Sequence, residues 1–157
     1  MTGPSGAPPG AQPTSPDLGW RVWTAVAAGA FAGAEARYGL LLLFPPAPGS
    51  TDWTTLGINA GASLALGFLT SWWLSHAPAP FWLRAGLGPG FLGTFSTFSA
   101  LALSLELPLG TGLHGEWVSY LALSLVCGLA AAAAGLRLGS RAGAAAARRR
   151  RSPGTAP

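Results

Sequence analysis

The sequence alternates between four long apolar stretches and short segments that are rich in proline, glycine and polar residues. The apolar stretches run over about residues 20–44, 53–74, 81–107 and 117–136. Each can cross the hydrocarbon core of a bilayer as a helix, which takes roughly 20 apolar residues. Pro45 and Pro46 follow the first stretch and cannot continue a helix. The pattern therefore predicts an all-α membrane protein with four transmembrane helices.

The third stretch contains a segment, Gly90–Ser99, that is poor material for an uninterrupted lipid-facing helix. Glycine costs about 1 kcal/mol relative to alanine inside a helix, and threonine and serine offer the backbone competing hydrogen bonds. Broken backbone at membrane depth is tolerated only where it is buried in protein or lines a polar cavity. We therefore expect the third helix to break in the middle of the membrane and to present carbonyl and hydroxyl groups inward.

The two ends of the chain differ in composition from the apolar part. Residues 1–19 are rich in proline, glycine, serine and alanine, which predicts a disordered N-terminal leader that lacks a signal-peptide pattern. Residues 20–138 are expected to form the four-helix transmembrane domain. Residues 139–157 are rich in alanine and arginine and are expected to form a mobile cytoplasmic tail.

Charged residues make up 9% of the chain and hydrophobic residues 50%, which is far from the composition of an average soluble domain. The single cysteine, Cys127, lies in an apolar stretch, so a disulfide framework and a cysteine metal site are excluded. His76 and His114 fall in expected loops without a second metal ligand at suitable spacing. The net charge of +4 comes from arginines beside the spans, so topology explains it better than a nucleic acid partner does.

The arginines also predict the orientation of the chain. Four spans put the N-terminus, the second loop and the C-terminus on the same side of the membrane. That side holds Arg21, Arg84, Arg137, Arg141 and Arg148–Arg151, whereas the loops of the opposite side hold no lysine or arginine. The positive-inside rule therefore predicts a multi-pass plasma-membrane protein with one fixed orientation and both termini in the cytoplasm.

Polar side chains inside the spans are expensive at membrane depth and are therefore functional candidates. The first span holds Glu35 and Arg37, the second holds Asn59, and the fourth holds Tyr120 and Ser124 four residues apart on one face. Each of them alone has a structural explanation. Asn59 could join two helices, Ser124 could bond to its own helix, and Glu35 could pair with Arg37 or a neighbouring helix end.

Four motifs follow one another along the spans. They are Gly33–Tyr38 (Gly-Ala-Glu-Ala-Arg-Tyr), Thr55–Asn59 followed by Ser63 and Gly67, Gly90–Ser99, and Tyr120 with Ser124. In this order and at this spacing they resemble the motifs of the Fluc/CrcB family of fluoride channels. Any one motif would be weak, and the specificity lies in the combination. The resemblance covers the four spans and not the two ends of the chain.

The resemblance implies a fluoride-selective channel that passively exports cytoplasmic fluoride and so confers fluoride resistance. It assigns five residues to the fluoride pathway: Asn59, Phe98, Tyr120, Ser124 and Arg37. A pore must replace the water of a strongly hydrated anion with hydrogen-bond donors. The amide and the two hydroxyl groups would supply donors, the Phe98 ring its electropositive edge, and Arg37 a positive potential.

The resemblance also implies an assembly of two subunits in opposite orientations, an antiparallel dimer. Such dimers hold a central sodium ion with backbone carbonyl groups of the third-span break, and Gly93 and Ser96 match those positions. Carbonyl oxygens suit a hard cation. The expected partners are therefore fluoride, a second subunit and the lipid bilayer, with sodium as a structural cofactor and without nucleic acid.

One departure from the family pattern bears on the second subunit. Aligned without gaps, Phe98 takes the first of two pore phenylalanine positions and Leu101 takes the second. Sliding the motif by three residues would instead pair Phe95 with Phe98, but the ungapped alignment keeps Gly90 and Gly93 in place. The missing phenylalanine and the fixed orientation favour a heterodimer with an inverted paralogue, while pairing with a second copy of this chain stays open.

A rival class is the small multidrug transporter, which also has four spans and pairs in antiparallel fashion. Such a protein uses a first-span glutamate for proton-coupled exchange, and Glu35 is the feature that favours it. Against it, Glu35 lies towards the expected outer end of its span, and a broken third span has no role in that mechanism. An enzyme is not expected, because no nucleophile, base and orienting group converge.

Overall fold

The computed structural model describes residues 19–46, 51–75, 79–99, 101–102 and 114–151. Within these ranges the chain is all-helical and contains no strand, which confirms the predicted all-α class. The elements are α1 (Trp20–Leu43), α2 (Trp53–Ser75), α3 (Phe81–Ala85), a π-helical segment (Gly86–Leu92), α4 (Gly93–Phe95) and α5 (His114–Arg151). Residues 98–99 and 101–102 are also helical.

The first two helices end close to their predicted bounds, whereas the later elements differ. The third stretch is divided among α3, the π-helical segment and α4. Helix α5 begins at His114, which was expected in a loop, and runs for 38 residues. It therefore includes residues 139–151, where a tail was expected. The predicted leader over residues 1–18, His76 and the third stretch beyond residue 102 lie outside the described residues.

Two of the described helical segments are long and apolar enough to cross a membrane. They are Trp20–Leu43 and Val118–Arg148. Helix α2 has 23 residues, which is sufficient in length for a further span. Large apolar side chains such as Leu43, Leu125 and Leu129 are mostly exposed. Extended apolar surface of this kind is typical of contact with lipid or with another subunit.

Helix α1 lies directly against the π-helical segment because glycines face each other across the contact. A Cβ atom at Gly29 would collide with the Gly86 carbonyl group, and one at Gly33 would collide with the Phe91 carbonyl and the Thr94 hydroxyl. Small residues allow membrane helices to approach to backbone contact and so to gain van der Waals packing. These glycines therefore hold the third stretch against α1 as the first helix pair.

Helices α2 and α5 form the second pair in the same way. A Cβ atom at Gly135 would collide with the Leu64 carbonyl group, and one at Gly139 would collide with the Phe68 carbonyl. The glycines are four residues apart and therefore lie on one face of α5. Because Leu64 and Phe68 meet them in the same order along the chain, α2 and α5 run in the same direction.

Side-chain hydrogen bonds join the two helix pairs. Near the end of α1, the Thr54 hydroxyl donates to the Phe44 carbonyl oxygen at 2.7 Å. Deeper in the structure, the side chain of Asn59 on α2 contacts the backbone of Thr97, which follows α4. Polar contacts between otherwise apolar helices fix how the two pairs lie relative to each other.

The glycine contact between α2 and α5 can be tested with two Gly→Ala variants on α5. Gly135→Ala should lower the free energy of unfolding by about 1–3 kcal/mol, because the new methyl group meets the α2 backbone. Gly128→Ala is the matched control, since its Cβ would meet only the Ser63 hydroxyl at an ordinary 3.7 Å. The control should be neutral or stabilising by up to about 1 kcal/mol. Unfolding in detergent followed by circular dichroism measures both, and equal effects would contradict the close contact.

Candidate functional site

The helical path of the third stretch is interrupted immediately after α4. The Ser96 N–H group still donates to the Leu92 carbonyl oxygen, at 3.0 Å, and the Ser96 hydroxyl donates to the same oxygen at 2.9 Å. Ser96 itself has φ −74° and ψ 152°, an extended conformation. The backbone therefore leaves the helix at Ser96, between α4 and the helical residues 98–99.

The amide side chain of Asn59 binds both backbone groups of Thr97, at this interruption. Asn59 Oδ1 accepts a hydrogen bond from the Thr97 N–H group at 2.8 Å, and Asn59 Nδ2 donates to the Thr97 carbonyl oxygen at 3.1 Å. In an unbroken α-helix the Thr97 N–H group would instead donate to the Gly93 carbonyl oxygen. The amide thus takes over that hydrogen bond, and the Gly93 carbonyl is released from it.

The hydroxyl group of Thr94 ties the residues before the interruption to α1. Thr94 Oγ1 lies 2.9 Å from the Ala30 carbonyl oxygen of α1 and 2.9 Å from the Gly90 carbonyl oxygen of its own segment. A hydroxyl group has a single proton, so these oxygens are alternative acceptors. The interrupted segment is therefore held on one side by this contact with α1 and on the other side by Asn59 of α2.

Two residues assigned to the fluoride pathway lie on α5, which packs against α2. Tyr120 is 8% exposed, and its hydroxyl group donates to the Asp52 carbonyl oxygen at 2.9 Å. Ser124 Oγ, one helical turn further along, is buried and has no hydrogen-bond partner among the described residues. A buried polar group without a partner costs about 1–3 kcal/mol. Among the described residues, the Ser124 hydroxyl is therefore a buried donor that no protein group uses.

The remaining two pathway residues, Phe98 and Arg37, lie on other elements than α2 and α5. Phe98 directly follows Thr97 and its side chain is 79% exposed. Arg37 is half-buried on α1 and Glu35 is exposed, and in the part of the chain that the structure describes neither forms an ion pair. A pair between Glu35 and Arg37, one of the alternatives for Glu35, is thus not formed there. The structure brings Asn59 to the interruption beside Phe98, and among the described residues Asn59 forms no hydrogen bond with the other four pathway residues.

An apolar groove opens beside the interruption. It is lined by Leu40, Phe44, Gly57, Ile58, Gly61 and Phe95, among others, and its volume is about 370 Å³. The Phe95 ring stacks on Phe91 at a centroid distance of 5.6 Å. The groove lies between the end of α1 and the first half of α2, and it places apolar surface next to the polar contact of Asn59.

Two contributors to the site were missed in the sequence. Asp52 caps α2, since its carboxylate accepts hydrogen bonds from the Thr55 N–H group at 2.9 Å and from the Thr55 hydroxyl at 2.6 Å. Aspartate just before a helix is a recognised N-cap signal, so that role could have been found. The backbone of Thr97 as the partner of Asn59 has no sequence signal, because it depends on where two distant segments meet.

The helices and the polar groups gathered at the interruption define an all-α membrane protein. The chain belongs to the CrcB family, because residues 24–136 match CrcB-like protein, Camphor Resistance (CrcB). This match confirms the family resemblance found in the sequence motifs.

Three relatives show how far the similarity extends. The chain is 36% identical over 121 residues to the fluoride-specific ion channel FluC 3 of Streptomyces avermitilis. It is 37% identical over 118 residues to FluC 2 of Thermobifida fusca and 34% identical over 137 residues to FluC 1 of Streptomyces coelicolor, which carry the same channel name. These alignments cover 77%, 74% and 83% of this chain, and 59%, 87% and 89% of the respective relatives.

The contact between Asn59 and Thr97 can be tested by removing the amide. Asn59→Ala removes the hydrogen bonds that Asn59 makes to the N–H and carbonyl groups of Thr97, so hydrogen exchange of the Thr97 amide should accelerate. The free energy of unfolding should fall by about 1–3 kcal/mol, the net value of two hydrogen bonds at roughly 0.5–1.5 kcal/mol each. Exchange is read by mass spectrometry of the peptide that spans residues 95–99.

Ser63→Ala on the same helix is the control, because the Ser63 hydroxyl makes no hydrogen bond among the described residues. It should leave exchange at Thr97 unchanged. Unaltered exchange in Asn59→Ala would mean that the amide does not hold the interruption in solution.

Proposed function

We propose that this chain is a subunit of a fluoride-selective ion channel that lets cytoplasmic fluoride leave the cell passively and so confers fluoride resistance. The observation that carries the proposal is the similarity to fluoride-specific ion channels, at 34–37% identity over most of this chain. The interruption after α4 supports it, because polar groups are gathered there within otherwise apolar helices.

Fluoride needs hydrogen-bond donors to replace its water. The pathway residues differ in whether their donor groups are already bonded to other protein groups. Ser124 Oγ has no partner among the described residues, so its proton can be donated to the ion. Asn59 Nδ2 carries two N–H groups, of which the Thr97 carbonyl accepts one, so the second is the donor towards fluoride. The single Tyr120 proton is directed to the Asp52 carbonyl, so Tyr120 positions α5 and donates to fluoride only after that bond is exchanged.

Phe98 and Arg37 complete the proposed pathway. The exposed Phe98 ring presents its electropositive edge to the anion, and a second subunit covers it in the assembled channel. Arg37, without an anionic partner among the described residues, raises the local concentration of anions near the pathway.

The proposed architecture has four spans with the third broken at membrane depth, and both termini in the cytoplasm. Its third span consists of α3, the π-helical segment, α4 and the helical residues after Thr97. The extended backbone at Ser96 supports a break in this span. A buried break is favourable only with protein around it, which supports assembly with a second, inverted subunit.

A sodium ion is proposed at the centre of that assembly, bound by the backbone carbonyl groups of Gly93 and Ser96. The Thr97 N–H group does not occupy the Gly93 carbonyl, because it donates to Asn59. The extended conformation of Ser96 likewise turns its carbonyl out of the helical pattern. Two carbonyls of each subunit, related by the dimer axis, would give a hard cation the oxygen ligands that it prefers.

The relatives give no support to the transporter class that Glu35 favoured, since their names describe channels. Glu35 is exposed and forms no ion pair among the described residues. The proposed channel function therefore requires no protonation of Glu35.

Fluoride efflux from liposomes that contain the purified protein tests the proposal. An ion-selective electrode follows the release of fluoride, and chloride is the control anion. We expect the liposomes to release fluoride selectively. Ser124→Ala should slow this release by about tenfold or more, since the loss of one charge-assisted hydrogen bond is worth about 1.5–3 kcal/mol. Asn59→Asp should abolish it, because a carboxylate would replace the amide donor and repel the anion.

Glu35→Gln is the matched control, and its efflux should equal that of the wild type. Loss of efflux in Glu35→Gln would favour the transporter class instead. Replacing sodium by N-methylglucamine on both sides should lower efflux if the Gly93 and Ser96 carbonyls bind sodium. Absence of fluoride efflux, both alone and with the paralogue, would contradict the channel proposal.

The second subunit is proposed to be an inverted paralogue. Leu101 stands at the second pore phenylalanine position, and the arginines fix one orientation. Labelling of cysteines placed near each terminus in intact cells should find both termini in the cytoplasm in nearly all molecules. Equal populations of the two orientations would indicate an antiparallel homodimer, and the heterodimer would then be wrong.

A further inference from the structure

Helix α5 has two opposite faces over its C-terminal half. Gly135, Gly139 and Gly143 lie on the face that packs against α2. Arg137, Arg141 and Arg148 are exposed. At about 100° per residue the three arginines fall within about 40° of arc, centred about 180° from the glycines. Because α5 is one continuous helix to Arg151, this arginine face is a fixed feature of the fold.

The arginine face continues an apolar face of the same helix. Val126, Ala130 and Ala133 precede the arginines along the same line of the helix surface, and all three are exposed. The surface therefore changes from apolar to cationic between Ala133 and Arg137. Such a change on an exposed helix face is expected where a span passes from hydrocarbon into the headgroup layer.

The contacts between α5 and α2 independently indicate which residues of α5 lie at the depth of the headgroup layer. A Cβ atom at Gly143 would meet the side chain of Ser75, the last residue of α2. Trp72 and Trp73 lie within one turn of that end, and tryptophans concentrate at the membrane interface. The headgroup layer is therefore level with residues 139–143 of α5. Arg141 lies within it, and Arg137 and Arg148 lie on either side within reach of their long side chains.

We propose that Arg137, Arg141 and Arg148 form a binding surface for the phosphate groups of anionic phospholipids in the cytoplasmic leaflet. Guanidinium groups bind phosphate oxygens in bidentate geometry, and in the described chain none of the three forms an ion pair that would compete. The surface binds lipid whether or not the chain conducts fluoride. It anchors the far end of α5, and with it α2, at a defined depth.

The test measures association of spin-labelled lipids with the purified full chain in phosphatidylcholine vesicles. Wild type is expected to prefer spin-labelled phosphatidylglycerol over spin-labelled phosphatidylcholine, and the preference should decrease with added salt. The triple variant Arg137→Gln/Arg141→Gln/Arg148→Gln should lose it by about fivefold or more, as expected for removal of basic residues at an anionic surface. Electron paramagnetic resonance gives the ratio directly.

Two further variants separate this face from total charge. Replacing the arginines at 149, 150 and 151 with glutamine removes the same charge from positions spread around the helix, and the preference should persist. The charge-preserving Arg137→Lys/Arg141→Lys/Arg148→Lys variant should retain most of it and shows that the fold tolerates substitution. Equal lipid preference in the first triple variant and wild type would overturn the proposal. So would competition by inorganic phosphate that removes the preference at matched ionic strength, since the site would then bind free phosphate.

Discussion

The hydrogen bonds between the Asn59 amide and the Thr97 backbone are the interaction on which the rest of the site depends. A backbone N–H and carbonyl pair without partners is costly in an apolar environment. The amide supplies one acceptor and one donor at 2.8 and 3.1 Å, which match the N–H and carbonyl groups of Thr97, the residue after the extended Ser96. Without it, the chain at Ser96 would gain by returning to a continuous helix, and the carbonyl of Gly93 would be occupied.

Close packing of glycines makes this arrangement possible. Gly33 lets the third stretch approach α1, and Gly135 lets α5 approach α2. Each contact forms a helix pair that is stabilised by backbone proximity, because apolar side chains gain little from burial when lipid is the alternative. The two pairs are then joined by polar contacts, so a small number of hydrogen bonds sets the geometry between them.

Some polar groups near the site are hydrogen-bonded to other protein groups and others are not, and this difference relates the structure to the proposed conduction of fluoride. Tyr120 and Asp52 are already bonded to protein groups, which makes them structural in the described chain. Ser124 Oγ is buried and has no partner among the described residues, where Asn59 Nδ2 likewise uses only one of its two N–H groups. A pathway that binds a dehydrated anion needs donors of this second kind, since a donor already bonded to protein would have to give up that bond first.

The sequence by itself determined the helical class, the approximate bounds of α1 and α2, and the family. These follow from local properties: the length of an apolar run, prolines after it, and motifs at fixed spacing. It also indicated that Gly90–Ser99 would not continue as a regular helix, because glycine and hydroxyl residues weaken helices locally.

Only the tertiary structure decided which groups meet. The contact of Asn59 with Thr97 joins residues 38 positions apart, and that of Tyr120 with Asp52 joins residues 68 positions apart. The continuation of α5 to Arg151 was also missed, because its Gly-, Ala- and Arg-rich sequence is typical of a tail. The packing of α2 against Gly139 and Gly143 is what shows that this segment belongs to the helix pair. Partners of this kind depend on how helices cross, and helix crossing is set by packing between distant segments rather than by local propensity.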